Sequence, residues 1–237
     1  MNKAVLFKIW KGAVCGALKT PALSMILFLA VPSFALNIEA VFENQKKSAF
    51  PDTCEMRMRT TVQFPGQVPQ VVESSVVAVG ESKSVTTVKS SLMRMKIVRN
   101  GNRIKATDLK TGEKLPSQNI PAQNPVDMNG RMGSPEDYNA PVKIADDSWE
   151  ITPKDSAKPI LYYSAKLRRI VKMKMPVNGT TATTEFEYCD NSCELPGTLK
   201  KVTIGTALPQ GGESSVVLEI LKVKRRHVLP SKMFDVD

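Results

Sequence analysis

The residues from Cys54 to Phe64 alternate between two kinds of side chain, and this alternation constrains the fold more than any other feature of the sequence. One set, which is mostly apolar, contains Cys54, Met56, Met58, Thr60, Val62 and Phe64. The other, which is polar, contains Glu55, Arg57, Arg59, Thr61 and Gln63. Because successive side chains of a β-strand point to opposite faces of a sheet, this stretch predicts an antiparallel strand with one buried and one solvated face.

Three triplets of methionine, cation and methionine recur in stretches of this kind. They are Met56-Arg57-Met58, Met93-Arg94-Met95 and Met173-Lys174-Met175. In a strand, the two methionines of a triplet share one face and the cation points to the other. The sequence therefore predicts three strands that combine a soft apolar face with a basic face.

Further short β-prone stretches, separated by turn residues, fill most of the chain. Predicted strands cover 70–79, 83–99 with a bend near Ser90-Ser91, 103–109, 148–152, 161–175, 180–188, 199–206 and 215–224. The dipeptides Asn100-Gly101 and Asn178-Gly179 predict tight hairpins. Strands joined in this way form a meander that twists and curls, so the sequence predicts a mainly β (α+β) fold with one curled antiparallel sheet forming an incomplete barrel.

Two segments depart from the strand rhythm. The spacing of Ile38, Val41 and Phe42 after Asn37 predicts a short N-terminal helix that Asn37 caps. The proline-rich stretch 114–147 shows no periodicity, and it predicts a long irregular flap with one helical turn near 134–137.

The N-terminus indicates export. Residues 1–35 contain four lysines and no acid, an apolar core at 22–31, and the small residues Ser33 and Ala35 at the positions that a signal peptidase requires. We predict a cleavable signal peptide at 1–35, a single domain at 36–237, and a protein of the periplasm. Part of the formal net charge of +10 belongs to the leader.

Few residues are suited to catalysis or to metal binding. The chain has one histidine, His227, and no nucleophile elbow, phosphate loop or HExxH helix, so we predict neither an enzyme nor a cofactor. Cys189 and Cys193 are predicted to form a disulfide in an oxidising compartment, and Cys54 remains an alternative partner for either. A zinc site built from the three cysteines and His227 would match no common spacing.

The triplets allow three interpretations. Their methionines line a cavity for an apolar guest, fill an ordinary core, or bind Cu(I) through thioethers. The cations are expected to face solvent or an anionic lipid surface, and we expect no nucleic-acid partner because few aromatic residues accompany them.

Several stretches together resemble the LolA-like family of outer-membrane lipoprotein-sorting proteins. They are the Met-Arg-Met-Arg strand at 56–59, Gly-Asn-Arg-Ile-Lys at 101–105, Trp-Glu-Ile-Thr-Pro at 149–153, the strand from Leu161 to Leu167, and Leu-Pro-x-x-Met-Phe at 229–234. The resemblance covers about residues 37–237. It implies an incomplete antiparallel barrel whose concave apolar face is covered by helices or loops, and a carrier of lipoprotein acyl chains or related lipids.

The sequence and the resemblance together predict a non-enzymatic, monomeric carrier in which residues 114–147 gate the ligand. A lipid-sensing regulator that binds a protein partner is an alternative. The candidate cavity-lining residues are Met56, Met58, Val62, Phe64, Met93, Met95, Leu167, Val171, Met173 and Met175.

Overall fold

The computed structural model describes residues 36–46, 50–80, 82–91, 93–116, 132–177, 179–208 and 211–236. The predicted signal peptide and the middle of the predicted flap, 117–131, lie outside the described residues. From Ala35 to Asp237 the chain is one compact unit. Among the described residues, no helix has the length and hydropathy needed to cross a membrane.

The described chain contains one α-helix and thirteen strands. The helix α1 spans Ile38–Lys46, and two 3-10 turns span Pro135–Asp137 and Ser231–Phe234. The strands are β1 Thr53–Gln63, β2 Gln70–Val79, β3 Lys83–Lys89, β4 Arg94–Asn100, β5 Arg103–Asp108, β6 Lys114–Leu115, β7 Val142–Ala145, β8 Ser148–Ile151, β9 Ile160–Ser164, β10 Arg169–Val177, β11 Thr180–Tyr188, β12 Leu199–Ala207 and β13 Glu213–Arg225.

All thirteen strands belong to one antiparallel sheet. Their order is β6-β5-β4-β3-β2-β1-β13-β12-β11-β10-β9-β8-β7. The chain runs outward from β1 to β6, begins again at the other edge with β7, and returns to pair β13 with β1 in the middle. The sheet is not closed between β6 and β7, which confirms the predicted incomplete barrel with an N-terminal helix.

Several predicted strands are divided in the structure. The predicted 83–99 strand is two strands, β3 and β4, which separate near the expected bend at Ser90-Ser91. The predicted 161–175 strand was wrong as a single element, because it is the hairpin β9–β10 with a turn in which Arg168 has a φ of 54°. The helical turn expected near 134–137 is confirmed as a 3-10 turn, but β6 and β7 lie in the stretch that was predicted to be irregular.

Strand register identifies the two faces of the sheet. Val62 pairs with Val216 of β13, and the row continues through Ile204, Thr184, Met173 and Leu161 to Ile151 of β8. On the other side of β1, Met58 pairs with Ser74, which pairs with Val88, which pairs with Met95. We call the face that carries Met56, Met58 and Met173 the inner face, and the opposite face the outer face.

The largest buried cluster lies where α1 packs on the inner face. Val41 and Phe42 of the helix meet Ile151, Leu161 and other residues of β8–β12. The Asn37 side chain accepts a hydrogen bond from the Glu39 amide at 2.7 Å, which satisfies one of the free donors at the helix start as the sequence predicted.

The C-terminal segment packs on the outer face. Phe234 is buried against Val85 of β3 and Val98 of β4, and Asn100 donates a hydrogen bond to the Phe234 carbonyl oxygen at 3.3 Å. This segment covers apolar residues on a face that is otherwise largely polar.

Candidate functional site

The triplet methionines that lie within strands share the inner face without meeting at one point. Met56 and Met58 are buried with Cys54, Val76 and Leu218, whereas Met173 is buried in the cluster under α1. Met95 is half-buried, and Met175 is half-buried opposite Ala182. With strands ~4.8 Å apart, Met58 and Met95 are about 14 Å apart along the sheet, and β1 and β10 about 19 Å apart.

Five other candidate residues occupy less uniform positions. Val62 is half-buried in the inner-face row that includes Met173. Phe64 lies just beyond β1 and is 44% exposed, Met93 precedes β4 and is also 44% exposed, and Leu167 lies in the exposed β9–β10 turn.

The fifth, Val171, is displaced by a β-bulge. Ile170 pairs with Tyr163 and Lys172 pairs with Tyr162, so Val171 is the extra residue between them. Ile170 therefore takes the inner-face position that alternation assigned to Val171, and it is only 1% exposed. Sequence reasoning missed Ile170 because a bulge shifts the alternation by one residue and carries no distinct sequence signal here.

Hydrogen bonds hold the end of α1 against this bulge. The Gln45 side-chain oxygen accepts a hydrogen bond from the Ile170 amide at 3.2 Å, and the Tyr188 hydroxyl donates to the Ile170 carbonyl oxygen at 2.9 Å. Arg169 donates to the Asn44 carbonyl oxygen near the helix C-terminus, where a cation is favoured. Burial raises the pKa of Tyr188 above its ordinary value.

The end of the predicted flap is fixed against α1. Met132 and Tyr138 are buried, the Tyr138 hydroxyl donates to the Met132 carbonyl oxygen at 2.8 Å, and the rings of Tyr138 and Phe42 lie 5.5 Å apart. Burial, with a smaller contribution from the Asp137 charge, raises the pKa of Tyr138 to about 12. The helix and this segment therefore cover the inner face at its β8–β11 end.

An ion pair stabilises the 3-10 turn beside this segment. Asp137 lies 2.6 Å from the Lys158 ammonium, and it also accepts a hydrogen bond from the Ser134 amide at 2.9 Å. These contacts, led by the hydrogen bond from Lys158, lower the pKa of Asp137 to about 2.

The inner face has few groups for acid–base chemistry. Among the described residues, Gln45 is the only buried residue with an amide or charged side chain, and no three His, Cys, Asp or Glu side chains form a metal-binding group. Register places the half-buried Arg99 and Asp108 at inner-face positions of β4 and β5, and the exposed Lys143 and Arg225 at inner-face positions of β7 and β13. Apart from these four residues, the arrangement suits the burial of an apolar ligand.

The three cysteines in the described part of the chain occupy two separate environments. Cys54 is buried beside Met56 and Met58, and burial raises the pKa of its thiol. Cys189 and Cys193 belong to the β11–β12 connection, where hydrogen bonding between the two thiols raises the pKa of Cys193. Both are unbonded thiols, so the predicted disulfide stays a prediction.

A cleft of about 440 Å³ opens on the outer face. It is lined by residues that include Ile160, Lys174 and Pro176. Lys174 pairs across the sheet with Ile160, and its ammonium lies 5.5 Å from the centre of the Tyr162 ring. This cleft lies on the opposite face from the methionines.

Two solved structures resemble this chain over most of their length. A LolA superfamily protein from Nitrosomonas europaea aligns with a TM-score of 0.58 at 20% identity, over 85% of this chain and 98% of that chain. A putative outer membrane lipoprotein-sorting protein domain from Vibrio parahaemolyticus aligns with a TM-score of 0.54 at 10% identity, over 84% and 95%. No protein-family model and no curated protein matches the sequence. The chain has the fold of LolA superfamily proteins, as the sequence predicted.

Proposed function

We propose that the protein is a non-enzymatic periplasmic carrier that binds lipoprotein acyl chains, or another lipid-like ligand, on the inner face of its sheet. Export by the predicted signal peptide would deliver it to the periplasm. The fold supports this class of function, since the structures that it resembles are described as a LolA superfamily protein and a lipoprotein-sorting domain.

The partial cover of the inner face carries the proposal. Helix α1 and the 132–138 segment pack over the β8–β11 end. Nearer the middle, Ile204, Val216 and Val62 are apolar and only half-buried within the described part of the chain. An acyl chain placed there would gain ~25 cal/mol for each Å² of apolar surface removed from water, without any polar contact.

A charge placed on this face tests the proposal. The Ile204→Lys variant should lose affinity for a fluorescent long-chain fatty acid by about tenfold or more, because a bound chain would have to share the face with an ammonium group. The matched control is Thr203→Lys, one residue earlier on β12, where the same charge is added on the outer face.

The measurement is a titration of delipidated protein with the fatty acid, accompanied by native mass spectrometry of protein isolated from the periplasm. The proposal is wrong if wild-type protein binds no fatty acid and carries no lipid. It is also wrong if the two lysine variants bind equally well.

The second candidate function is Cu(I) binding. One observation favours it: Cys54, Met56 and Met58 are buried together on one face of β1, and soft thiol and thioether ligands suit Cu(I). This candidate predicts Cu(I) uptake against a chromogenic competitor that is lost in a Met56→Leu/Met58→Leu variant. The carrier proposal expects that variant to bind the fatty acid as wild type does.

A further inference from the structure

One end of the β3–β6 part of the sheet carries exposed cations and exposed apolar side chains together. The connection from β3 to β4 and the connection from β5 to β6 both lie at this end, and the Leu109 amide donates to the Arg94 carbonyl oxygen at 2.8 Å. We define the docking surface as Lys89, Met93, Arg94, Lys96, Leu109 and Lys110, all of which are exposed.

The cations of the docking surface differ from those elsewhere on the sheet. On β10–β12, Lys172 pairs with Glu185 at 2.8 Å and Lys201 pairs with Glu187 at 3.2 Å. Lys89, Arg94, Lys96 and Lys110 form no ion pair within the described part of the chain. Their charge is therefore left for a partner.

Strand register shows that the charged side chains on the outer face of β3–β6 are all cations. The outer-facing positions of β3–β6 are Lys83, Val85, Thr87, Lys89, Arg94, Lys96, Val98, Asn100, Arg103, Lys105, Thr107 and Lys114, a set with no carboxylate. On the neighbouring strand, Glu73 pairs across the sheet with Lys89 and lies 3.6 Å from Arg59. Asp108 accepts the Lys110 amide at 2.6 Å in the β5–β6 turn. Glu113 is the exposed acid of that turn.

Two large apolar side chains stand among these cations. Met93 is 44% exposed and Leu109 is 46% exposed. The backbone of Met93 is held by Ser90, whose hydroxyl accepts the Met93 amide at 3.1 Å and whose amide donates to the Met93 carbonyl oxygen at 2.9 Å. These two hydrogen bonds position an exposed apolar residue beside Arg94.

We propose that the docking surface binds membranes that contain anionic phospholipids. The cations would attract phosphate headgroups, and Met93 and Leu109 would enter the boundary between headgroups and acyl chains. Single-stranded nucleic acid fits less well, because the surface has no aromatic residue on which a base could stack. The inference extends the proposed carrier function, since a carrier must meet the membranes between which it moves its ligand.

The test is co-sedimentation of the purified protein with vesicles of phosphatidylglycerol and phosphatidylcholine, compared with vesicles of phosphatidylcholine alone. We expect binding to the anionic vesicles that weakens as salt rises, and little binding to the neutral ones. The Arg94→Gln/Lys96→Gln variant should bind about tenfold more weakly. The matched control, Lys172→Gln/Lys201→Gln, removes the same charge from paired positions and should change binding by less than about twofold.

The apolar contribution is tested separately. The Met93→Ser/Leu109→Ser variant should bind anionic vesicles more weakly, and Met93→Trp should show a blue shift of tryptophan emission when they are added. The inference is overturned if wild-type protein ignores anionic vesicles, or if both glutamine variants lose binding equally. It is also overturned if the serine variant binds as wild type does, because Met93 and Leu109 would then make no contact with the membrane.

The vesicle lipids carry acyl chains, so the two proposals are separated by the Arg94→Gln/Lys96→Gln variant, which changes outer-face positions only. Its loss of vesicle binding reports on the docking surface, and it should bind the fatty acid as wild type does. Vesicle binding without fatty-acid binding would remove only the carrier function. Fatty-acid binding without vesicle binding would remove only the membrane-docking surface.

Discussion

The bond between α1 and the β10 bulge makes a quantitative prediction. Gln45 is only 5% exposed, and its side-chain oxygen accepts the Ile170 amide. Gln45→Met keeps a similar volume but removes this acceptor, so a buried amide loses its partner at a cost of about 1–3 kcal/mol. For a protein with a urea m-value of about 2.5 kcal/mol/M, a loss of about 2 kcal/mol lowers the unfolding midpoint by about 0.8 M.

The measurement is urea unfolding followed by circular dichroism, with hydrogen exchange of the α1 amides as a local readout. Because the Gln45 bond ties the end of α1 to β10, we expect the α1 amides to exchange faster in Gln45→Met even in the absence of urea. The matched control is Gln70→Met at the exposed start of β2, which should change the midpoint by about 0.2 M or less. If both variants shift the midpoint equally, the reasoning about the bulge is refuted.

Three further predictions concern other parts of the chain. Because the pKa of Asp137 is lowered to about 2, its ionised form stabilises the fold above about pH 4. This contribution is lost as the pH falls from about 4 to 2. Acid titration of Asp137→Asn should therefore show a flatter dependence of stability on pH in that window. If Cys189 and Cys193 form a disulfide, intact-mass analysis of protein isolated from the periplasm should give a mass two hydrogen atoms below that of the reduced protein. An alkylating reagent should then modify the two cysteines only after a reductant is added. Alkylation of both without a reductant would contradict the disulfide. Phe234→Ala should lower the free energy of unfolding in urea by about 1–3 kcal/mol. The loss cannot exceed the free energy with which the C-terminal segment packs on the sheet. Unchanged stability would show that this segment contributes nothing.

The sequence predicted the parts of the fold that local chemistry controls. The alternation from Cys54 to Phe64 corresponds to β1, which ends at Gln63, and its buried residues Cys54, Met56 and Met58 are those that the pattern assigned to the apolar face. Asn100-Gly101 forms a hairpin in which Gly101 has a φ of 60°, a conformation that glycine adopts without strain. Turn residues and the two-residue period act over a few positions, so they can be read without knowledge of the rest of the chain.

The candidate site depended more on tertiary structure. Alternation predicts which face a methionine occupies, but the number of strands between two methionines follows from how distant strands pair. Met58 and Met95 consequently share a face but remain about 14 Å apart along the sheet. The bulge that places Ile170 where Val171 was expected arises from the pairing of β10 with β9, and a single-strand pattern does not record it.

Burial was the other property that the sequence left open. Met93 and Met173 belong to equivalent triplets, yet Met93 is 44% exposed in a turn and Met173 is 7% exposed in the cluster under α1. Sequence by itself determined most of the strands, the buried face of β1 and the class of fold. Only the tertiary structure decided which apolar residues α1 and the 132–138 segment cover and which remain exposed, because burial depends on the elements that pack against a residue and these come from distant parts of the chain.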